Sequence, residues 1–161
     1  MIWTSGHPAN TVRDCHLCFN AGGRLVWTND DWRVVGVDDP GFPVFYRLIS
    51  SNHIAEFSML EPSERAICIQ LICAVEGALL QHERPASINL ASFGNVVPHL
   101  HWHIIARFTW DSHFPEPVWG APQRSIQGLA RDHLRHSVPE LDKIVRSALN
   151  YASMGRNENE Y

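Results

Sequence analysis

The chain has no long hydrophobic run. No stretch reaches the roughly twenty apolar residues that a helix needs to cross a bilayer. The first residues, Met1 to Pro8, have neither the basic start nor the apolar core of a signal peptide. We therefore expect a cytoplasmic protein with no membrane partner.

Positive charge and cysteine are both scarce. The 13 Lys and Arg residues are outnumbered by 17 Asp and Glu, for a net charge of -4. This balance gives no basic surface for a nucleic-acid polymer, although a single nucleotide needs only local contacts.

The four cysteines are a close pair, Cys15 and Cys18, and two isolated residues. They do not suggest a disulfide framework in a chain of this size.

The length of 161 residues predicts one domain with its own core. We expect a flexible arm over 1–13, a single domain over 14–153 and a flexible tail over 154–161. Hydrophobic periodicity and turn residues predict strands at 24–28, 32–37, 42–49, 86–91 and 97–108, a main helix between Pro62 and Arg84, and a last helix from Ser137 to about Ala152.

The strand predicted at 97–108 carries three histidines at every second position. His99, His101 and His103 alternate with bulky apolar residues. Alternate side chains of a strand share one face, so the three imidazoles are expected on one side and the apolar residues on the other. One buried histidine is commonly a satisfied core residue, but three in register are costly to bury. The pattern therefore predicts a chemical site.

Two chemistries fit alternating histidines. They could chelate a metal such as zinc, or one imidazole could be a nucleophile while its neighbours handle protons and phosphate oxygens. Asn89 and the turn at Gly94 and Asn95 precede the histidines. Exposed backbone N–H groups in such a turn suit a phosphate oxygen, and this favours the nucleophile.

The run His99-x-His101-x-His103-Ile104-Ile105 resembles the signature of the histidine triad superfamily. Asn89 and Gly94 stand near the spacing found upstream of that motif, and the segment 117–120 is similar to the aromatic-glycine segment downstream. The resemblance implies an α+β fold, with an antiparallel sheet of about five strands, a long helix packed on it and a C-terminal helix. It also implies a homodimer, and hydrolysis or transfer at the α-phosphate of a purine nucleotide conjugate, with no cofactor required for catalysis.

The resemblance also implies roles for individual residues. His101 would attack phosphorus and hold a covalent nucleotidyl intermediate, while His103 would contact phosphate oxygens and assist proton transfer. The substrate would be held by Asn89, Gly94, Asn95, Asp38 and Trp119. For Asp38, a residue of a turn that ends a strand is an equally good interpretation.

Two positions depart from the superfamily pattern. Val96 stands where the nucleoside phosphoramidase branch has a serine, and Phe45 stands where many members have a further histidine. Both changes weaken the expectation of phosphoramidate cleavage, and neither removes the nucleophile. Two alternatives stay open: a nucleotide-binding or sensing module with little catalysis, and a metal-dependent hydrolase with three histidine ligands.

The close cysteine pair predicts a second site. A Cys-x-x-Cys motif supplies two of the four ligands of a structural zinc ion. Some bacterial histidine triad proteins resemble this chain in combining the pair with a histidine after the third strand and the first triad histidine. Here the ligand set would be Cys15, Cys18, His53 and His99. The alternative is a pair of buried or partly exposed thiols with His16 and His53 at the surface.

Overall fold

The computed structural model describes residues 11–154. Most of the predicted arm and tail lies outside these residues, so their flexibility stays a prediction. In chain order, the elements are α1 (His16–Phe19), β1 (Arg24–Thr28), β2 (Trp32–Gly36), β3 (Phe45–Ser50), α2 (Pro62–His82), β4 (Ser87–Ser92), β5 (His101–Arg107) and α3 (Val138–Met154). Short 3-10 turns lie at Phe57–Met59 and Ala130–His133.

The five strands form one sheet in the order β1-β2-β3-β5-β4, and every neighbouring pair is antiparallel. The predicted α+β fold is confirmed. The crossover between β3 and β4 is the long helix α2. Its start follows the expected chemistry, because Pro62 needs no N–H partner in the first turn and the Glu64 carboxylate accepts from the Glu61 N–H at 2.7 Å.

One face of the sheet is covered by α2 and α3 and forms the main core. Strand residues such as Val34, Leu48 and Ile104 meet Leu71 and Val145 of the helices there. All five are fully buried. Because strand side chains alternate, the residues between these positions point to the other face of the sheet.

The second face carries the polar residues of the three central strands. In the register, Arg33 of β2 pairs with Ile49 of β3, and Ile49 pairs with His101 of β5. Two residues along, Arg47 of β3 pairs with His103. Within residues 11–154 no helix as long as α2 or α3 covers this face, so these side chains meet loops instead.

Two strands begin later than the sequence predicts. β5 starts at His101 rather than Val97, and β3 at Phe45 rather than Phe42. A proline precedes each start, Pro98 and Pro43, and proline has no N–H for the strand ladder. The three histidines are therefore not all on one regular strand, since His99 lies before it.

No helix within the described part of the chain is both long and apolar enough to cross a membrane.

Candidate functional site

A cleft of about 580 Å³ opens on the second face of the sheet, beside β3 and β5. The protein side chains that line it come from three places: the N-terminal segment, the central strands and the loops around 93–97 and 119. They are His16, Leu17, Gly22, Arg47, Phe93, Asn95, Val96, Val97, His101, His103 and Trp119. Two of the three histidines of the motif thus face a space large enough for a small ligand.

His101 is held in one orientation by its own backbone. Its Nδ1 lies 2.7 Å from the carbonyl oxygen of His99. A carbonyl only accepts, so Nδ1 is the protonated nitrogen and Nε2 keeps its lone pair. Burial is the main cause that lowers the pKa of His101, and Arg47 adds to it. The ring is therefore neutral near pH 7, with one basic nitrogen left for a ligand.

His103 lies next to His101, with ring centroids 4.9 Å apart. Aromatic rings surround it: Phe45 at 5.4 Å, Trp119 at 5.5 Å and Phe93 at 6.0 Å. Burial, with smaller contributions from His101 and Arg47, lowers the pKa of His103 to about 4. Its Nδ1 is buried and has no hydrogen-bond partner among the residues that the structure describes. An unpaired ring nitrogen beside a cleft is a candidate contact for a polar ligand.

Arg47 is a cleft residue that the sequence analysis did not identify. It is half-buried on β3, directly across from His103. Burial lowers the pKa of its guanidinium, but an arginine with a lowered pKa is still a cation at pH 7. The only local sequence signal was a charged residue between apolar neighbours in a strand, which usually marks a solvated face.

His99 belongs to a different cluster, although it is only two residues from His101. Its Nδ1 lies 3.4 Å from the Cys15 Sγ and 3.7 Å from the Cys18 Sγ, while the Cys18 Sγ lies 3.4 Å from the Nδ1 of His53. All four candidate ligand atoms lie within 4.8 Å of one another. Tetrahedral zinc bonds of about 2.0–2.3 Å place ligand atoms roughly 3.3–3.8 Å apart, and the three sulfur to nitrogen distances lie in this range.

The surroundings of the cluster also suit a metal. The Nε2 of His99 donates to the carbonyl oxygen of Ser50 at 2.8 Å, which leaves Nδ1 deprotonated and turned to the cysteines. The buried Arg33 donates to the carbonyl oxygens of Leu17 and Asn20 at 2.6 and 3.2 Å and so fixes the loop that carries the cysteines. Cys15, Cys18 and His99 are buried. The site is closed, as structural metal sites are.

This allocation separates the three histidines of the motif. His99 was predicted both as a member of the catalytic set and as a metal ligand, and its ring is in the cluster and does not line the cleft. The alternative of one metal held by all three histidines is disfavoured for the same reason. Among the described residues, the group that could hold a metal ion is the cysteine and histidine cluster.

The predicted substrate contacts divide in the same way. Asn95 and Trp119 line the cleft, whereas Gly94, Asn89 and Asp38 do not. Asn89 lies further along β4, where its Oδ1 accepts from the buried Arg107 at 2.6 Å. A side chain added at Gly94 would meet only the Cα of Pro98, at 3.8 Å, so the turn does not require glycine.

Asp38 does not line the cleft and lies two residues after the end of β2 at Gly36. Its side chain is 84% exposed and forms an ion pair with Arg24 at 2.5 Å. Of the two departures, Val96 is 93% exposed at the edge of the cleft, and Phe45 packs on the ring of His103. Both lie where they can affect a ligand.

Comparisons with known proteins agree with this geometry. The HIT domain profile matches residues 20–110. The fold is similar to a histidine triad protein from Bradyrhizobium japonicum, with 28% identity, a TM-score of 0.61 and coverage of 82% of this chain and 91% of that one. No curated protein sequence matches the chain.

Two more distant structures share the fold. One is a hypothetical histidine triad nucleotide-binding protein from Sulfolobus tokodaii, with 15% identity, a TM-score of 0.55 and coverage of 86% of this chain and 91% of that one. The other is a zinc-bound histidine triad family protein from Mycobacterium smegmatis, with 13% identity, a TM-score of 0.51 and coverage of 83% and 88%. The profile match spans more than half of the sequence and includes the histidine strand, so this chain belongs to the HIT domain family.

Proposed function

We propose that the chain is a nucleotide-conjugate hydrolase or nucleotidyl transferase that works through a covalent intermediate on His101. HIT domain proteins act on nucleotides, so the substrate class that we propose for this chain is a nucleotide. The observation that carries the proposal is the hydrogen bond from the Nδ1 of His101 to the carbonyl of His99. It leaves a basic Nε2 in a cleft, as a nucleophilic imidazole requires.

In the first step the Nε2 lone pair of His101 forms a bond to the α-phosphorus while the bond from phosphorus to the leaving group breaks. The leaving group departs with the electron pair and takes a proton from solvent, or from His103 where the bound phosphate has raised the pKa of that ring enough to protonate it. The His101 ring is now a nucleotidyl imidazolium, and the carbonyl of His99 still holds its Nδ1 proton. That carbonyl stabilises the positive charge and keeps the ring oriented.

In the second step a water oxygen attacks the same phosphorus and the bond to Nε2 breaks. The water gives up a proton, a nucleoside monophosphate leaves, and His101 returns to its neutral form. If another hydroxyl replaces water, the same step is a transfer. His103 would donate a hydrogen bond to a phosphate oxygen, since the negative charge of a bound phosphate raises the pKa of a neighbouring imidazole. Asn95 and Trp119 would contact the nucleotide.

The test is a panel of adenylated substrates with different leaving groups, followed by rapid acid-free quenching and mass spectrometry. We expect an added nucleotidyl mass on the peptide that contains His101. His101→Ala should abolish turnover while nucleotide binding persists. A His101→Ala variant as active as the parent protein would reject the mechanism.

A second candidate function is a nucleotide-binding or sensing module with little catalysis. It is favoured by the exposed Val96 at the cleft edge, where the phosphoramidase branch has a serine, and by Phe45 on His103. Tight nucleotide binding with turnover no faster than buffer, and no adduct on His101, would establish it. A homodimer, a preference for purines and a cytoplasmic location stay predictions from the sequence.

We also propose that Cys15, Cys18, His53 and His99 hold a structural zinc ion. The support is the set of sulfur to nitrogen distances and the fixed tautomer of His99. The distant relative from Mycobacterium smegmatis is zinc-bound. A bound zinc ion would crosslink the N-terminal segment, the loop after β3 and the segment just before β5, and catalysis would not pass through it.

Metal analysis of protein purified without a histidine tag tests this site. We expect about one zinc per chain, lost in Cys15→Ser and kept in Cys73→Ser, because Cys73 is an exposed cysteine on α2. Less than about a tenth of an equivalent in the parent protein, with unchanged stability of Cys15→Ser, would discard the site.

A further inference from the structure

Arg47 is the one lysine or arginine among the described residues that line the cleft. The strand register places it opposite His103, one strand across and two residues along from His101. Its guanidinium therefore lies beside the two imidazoles but is displaced from the proposed nucleophile. A guanidinium keeps its charge across the physiological pH range, so Arg47 supplies the permanent positive charge of this cleft.

The guanidinium is poorly satisfied by the protein. Its Nη1 reaches the carbonyl oxygen of Gly22 only at 3.5 Å, beyond the usual range for such a bond. The buried Nε has no hydrogen-bond partner within residues 11–154. In the same part of the chain no carboxylate forms an ion pair with Arg47. Its nearest aromatic neighbour is Phe45, with the ring centroid 5.4 Å from Cζ.

Arg107 shows what a satisfied arginine on this face looks like. Its Nε and Nη2 lie 2.9 and 3.0 Å from the carboxylate of Asp111, and Nη1 and Nη2 donate to Asn89 and to the carbonyl of Glu116 at 2.6 and 2.7 Å. A half-buried cation without such partners is costly to keep. An anionic ligand in the cleft would offset that cost.

We propose that Arg47 binds a second phosphate of the substrate, next to the phosphate that His101 attacks. The cleft would then prefer nucleotides with at least two linked phosphates, such as nucleoside polyphosphate conjugates, over conjugates with one phosphate. This inference rests on the proposed function for the place of the reacting phosphate. The planar guanidinium matches phosphate oxygens in a bidentate way, and the displacement of Arg47 from His101 suits the neighbouring phosphate.

Equilibrium titration with AMP and with α,β-methylene-ADP, which cannot be cleaved between its phosphates, tests the inference without turnover. We expect the parent protein to bind the diphosphate at least about tenfold more tightly than AMP, as charge-assisted hydrogen bonds to one added phosphate provide. Arg47→Leu should lose this preference while its affinity for AMP changes by less than about threefold. Arg47→Lys keeps the charge without the planar fork and should fall between the two.

Arg135→Leu is the matched control, because Arg135 is exposed and lies outside the cleft, so this variant should keep the preference. Equal losses for both ligands in Arg47→Leu and Arg47→Lys would overturn the inference, as would a parent protein without preference. A preference that depends on Arg47 without any turnover would reject the proposed catalysis and keep this inference. Turnover through His101 with equal use of one and two phosphates would reject only this inference.

Discussion

Two histidine sites lie side by side on the same face of the sheet, and they differ in what covers them. His99 is fully buried beneath the segment that carries Cys15 and Cys18, and both of its ring nitrogens have partners. His101, two residues on, is also buried, and within residues 11–154 only its Nδ1 has a hydrogen-bond partner. Its ring lines the cleft. The residue type and spacing are the same, so the covering segment decides which imidazole is enclosed with the cysteines and which is left to line the cleft.

The largest expected effect comes from replacing the two histidines one at a time. His101→Ala should lower kcat by about a thousandfold or more, since it removes the nucleophile, and should leave bound zinc and the thermal unfolding midpoint unchanged. His99→Ala should release zinc and lower the unfolding midpoint. Activity assays, metal analysis and thermal unfolding on both variants measure this. If His101→Ala also released the metal, the two sites would not be separate.

Removal of the metal is the next largest effect. A strong chelator, or Cys15→Ser, should lower the free energy of unfolding by several kcal/mol, because a structural zinc ion binds the folded chain far better than the unfolded one. Urea unfolding with and without chelator measures the change. Cys73→Ser should respond to the chelator as the parent does, and an unchanged midpoint in Cys15→Ser would contradict the prediction.

Acid should lower the free energy of unfolding by protonating His103, which lies beside the cleft. Its pKa is about 4 in the folded chain and about 6.5 when unfolded, so the unfolded state takes up the proton first. The stability that the neutral ring contributes is present above about pH 6.5 and is lost as the pH falls toward 4. Between about pH 7 and pH 5 the loss is up to about 2 kcal/mol.

His103→Phe isolates this contribution, because phenylalanine fits among the aromatic neighbours and cannot be protonated. Urea unfolding at the two pH values should show a smaller loss for the variant than for the parent protein. Acid would release a bound zinc ion from both proteins alike, so the difference between the two losses is the quantity to compare. Equal losses would mean that His103 is not a neutral buried group.

The smallest effect is expected at Trp119, which is 54% exposed. Its ring meets that of Phe93 edge-on, with the two ring centroids 4.6 Å apart. Trp119→Ala should raise KM for a nucleotide conjugate by about three- to tenfold with little change in kcat, since an aromatic face adds binding without touching the reacting atoms. Steady-state kinetics measure both constants. Tyr151→Ala, at an exposed residue of α3, is the control. A large loss of kcat in Trp119→Ala would place the residue in the chemical step instead.

The sequence predicted most of the fold because its signals are local. Pro62 and Glu64 mark the start of α2, and alternation of apolar residues marks β5. Predicted strand starts were wrong at Val97 and Phe42, where Pro98 and Pro43 interrupt the ladder. The histidine motif predicted a site that includes His101 and His103, and both residues line the cleft. The Cys-x-x-Cys spacing with His53 predicted a set of metal ligands, and the structure brings these residues together with His99.

The sequence by itself determined the alternation of the histidines and the Cys-x-x-Cys spacing, because periodicity and spacing can be read directly from the linear chain. Tertiary structure decided the rest. It decided that His99 joins the cysteines, that Asn89 supports Arg107, and that Asp38 pairs with Arg24 away from the cleft. It also placed Arg47 across from His103. Each of these depends on contacts between residues distant in the chain, and only the folded packing fixes whether a polar group finds a partner or is left to a ligand.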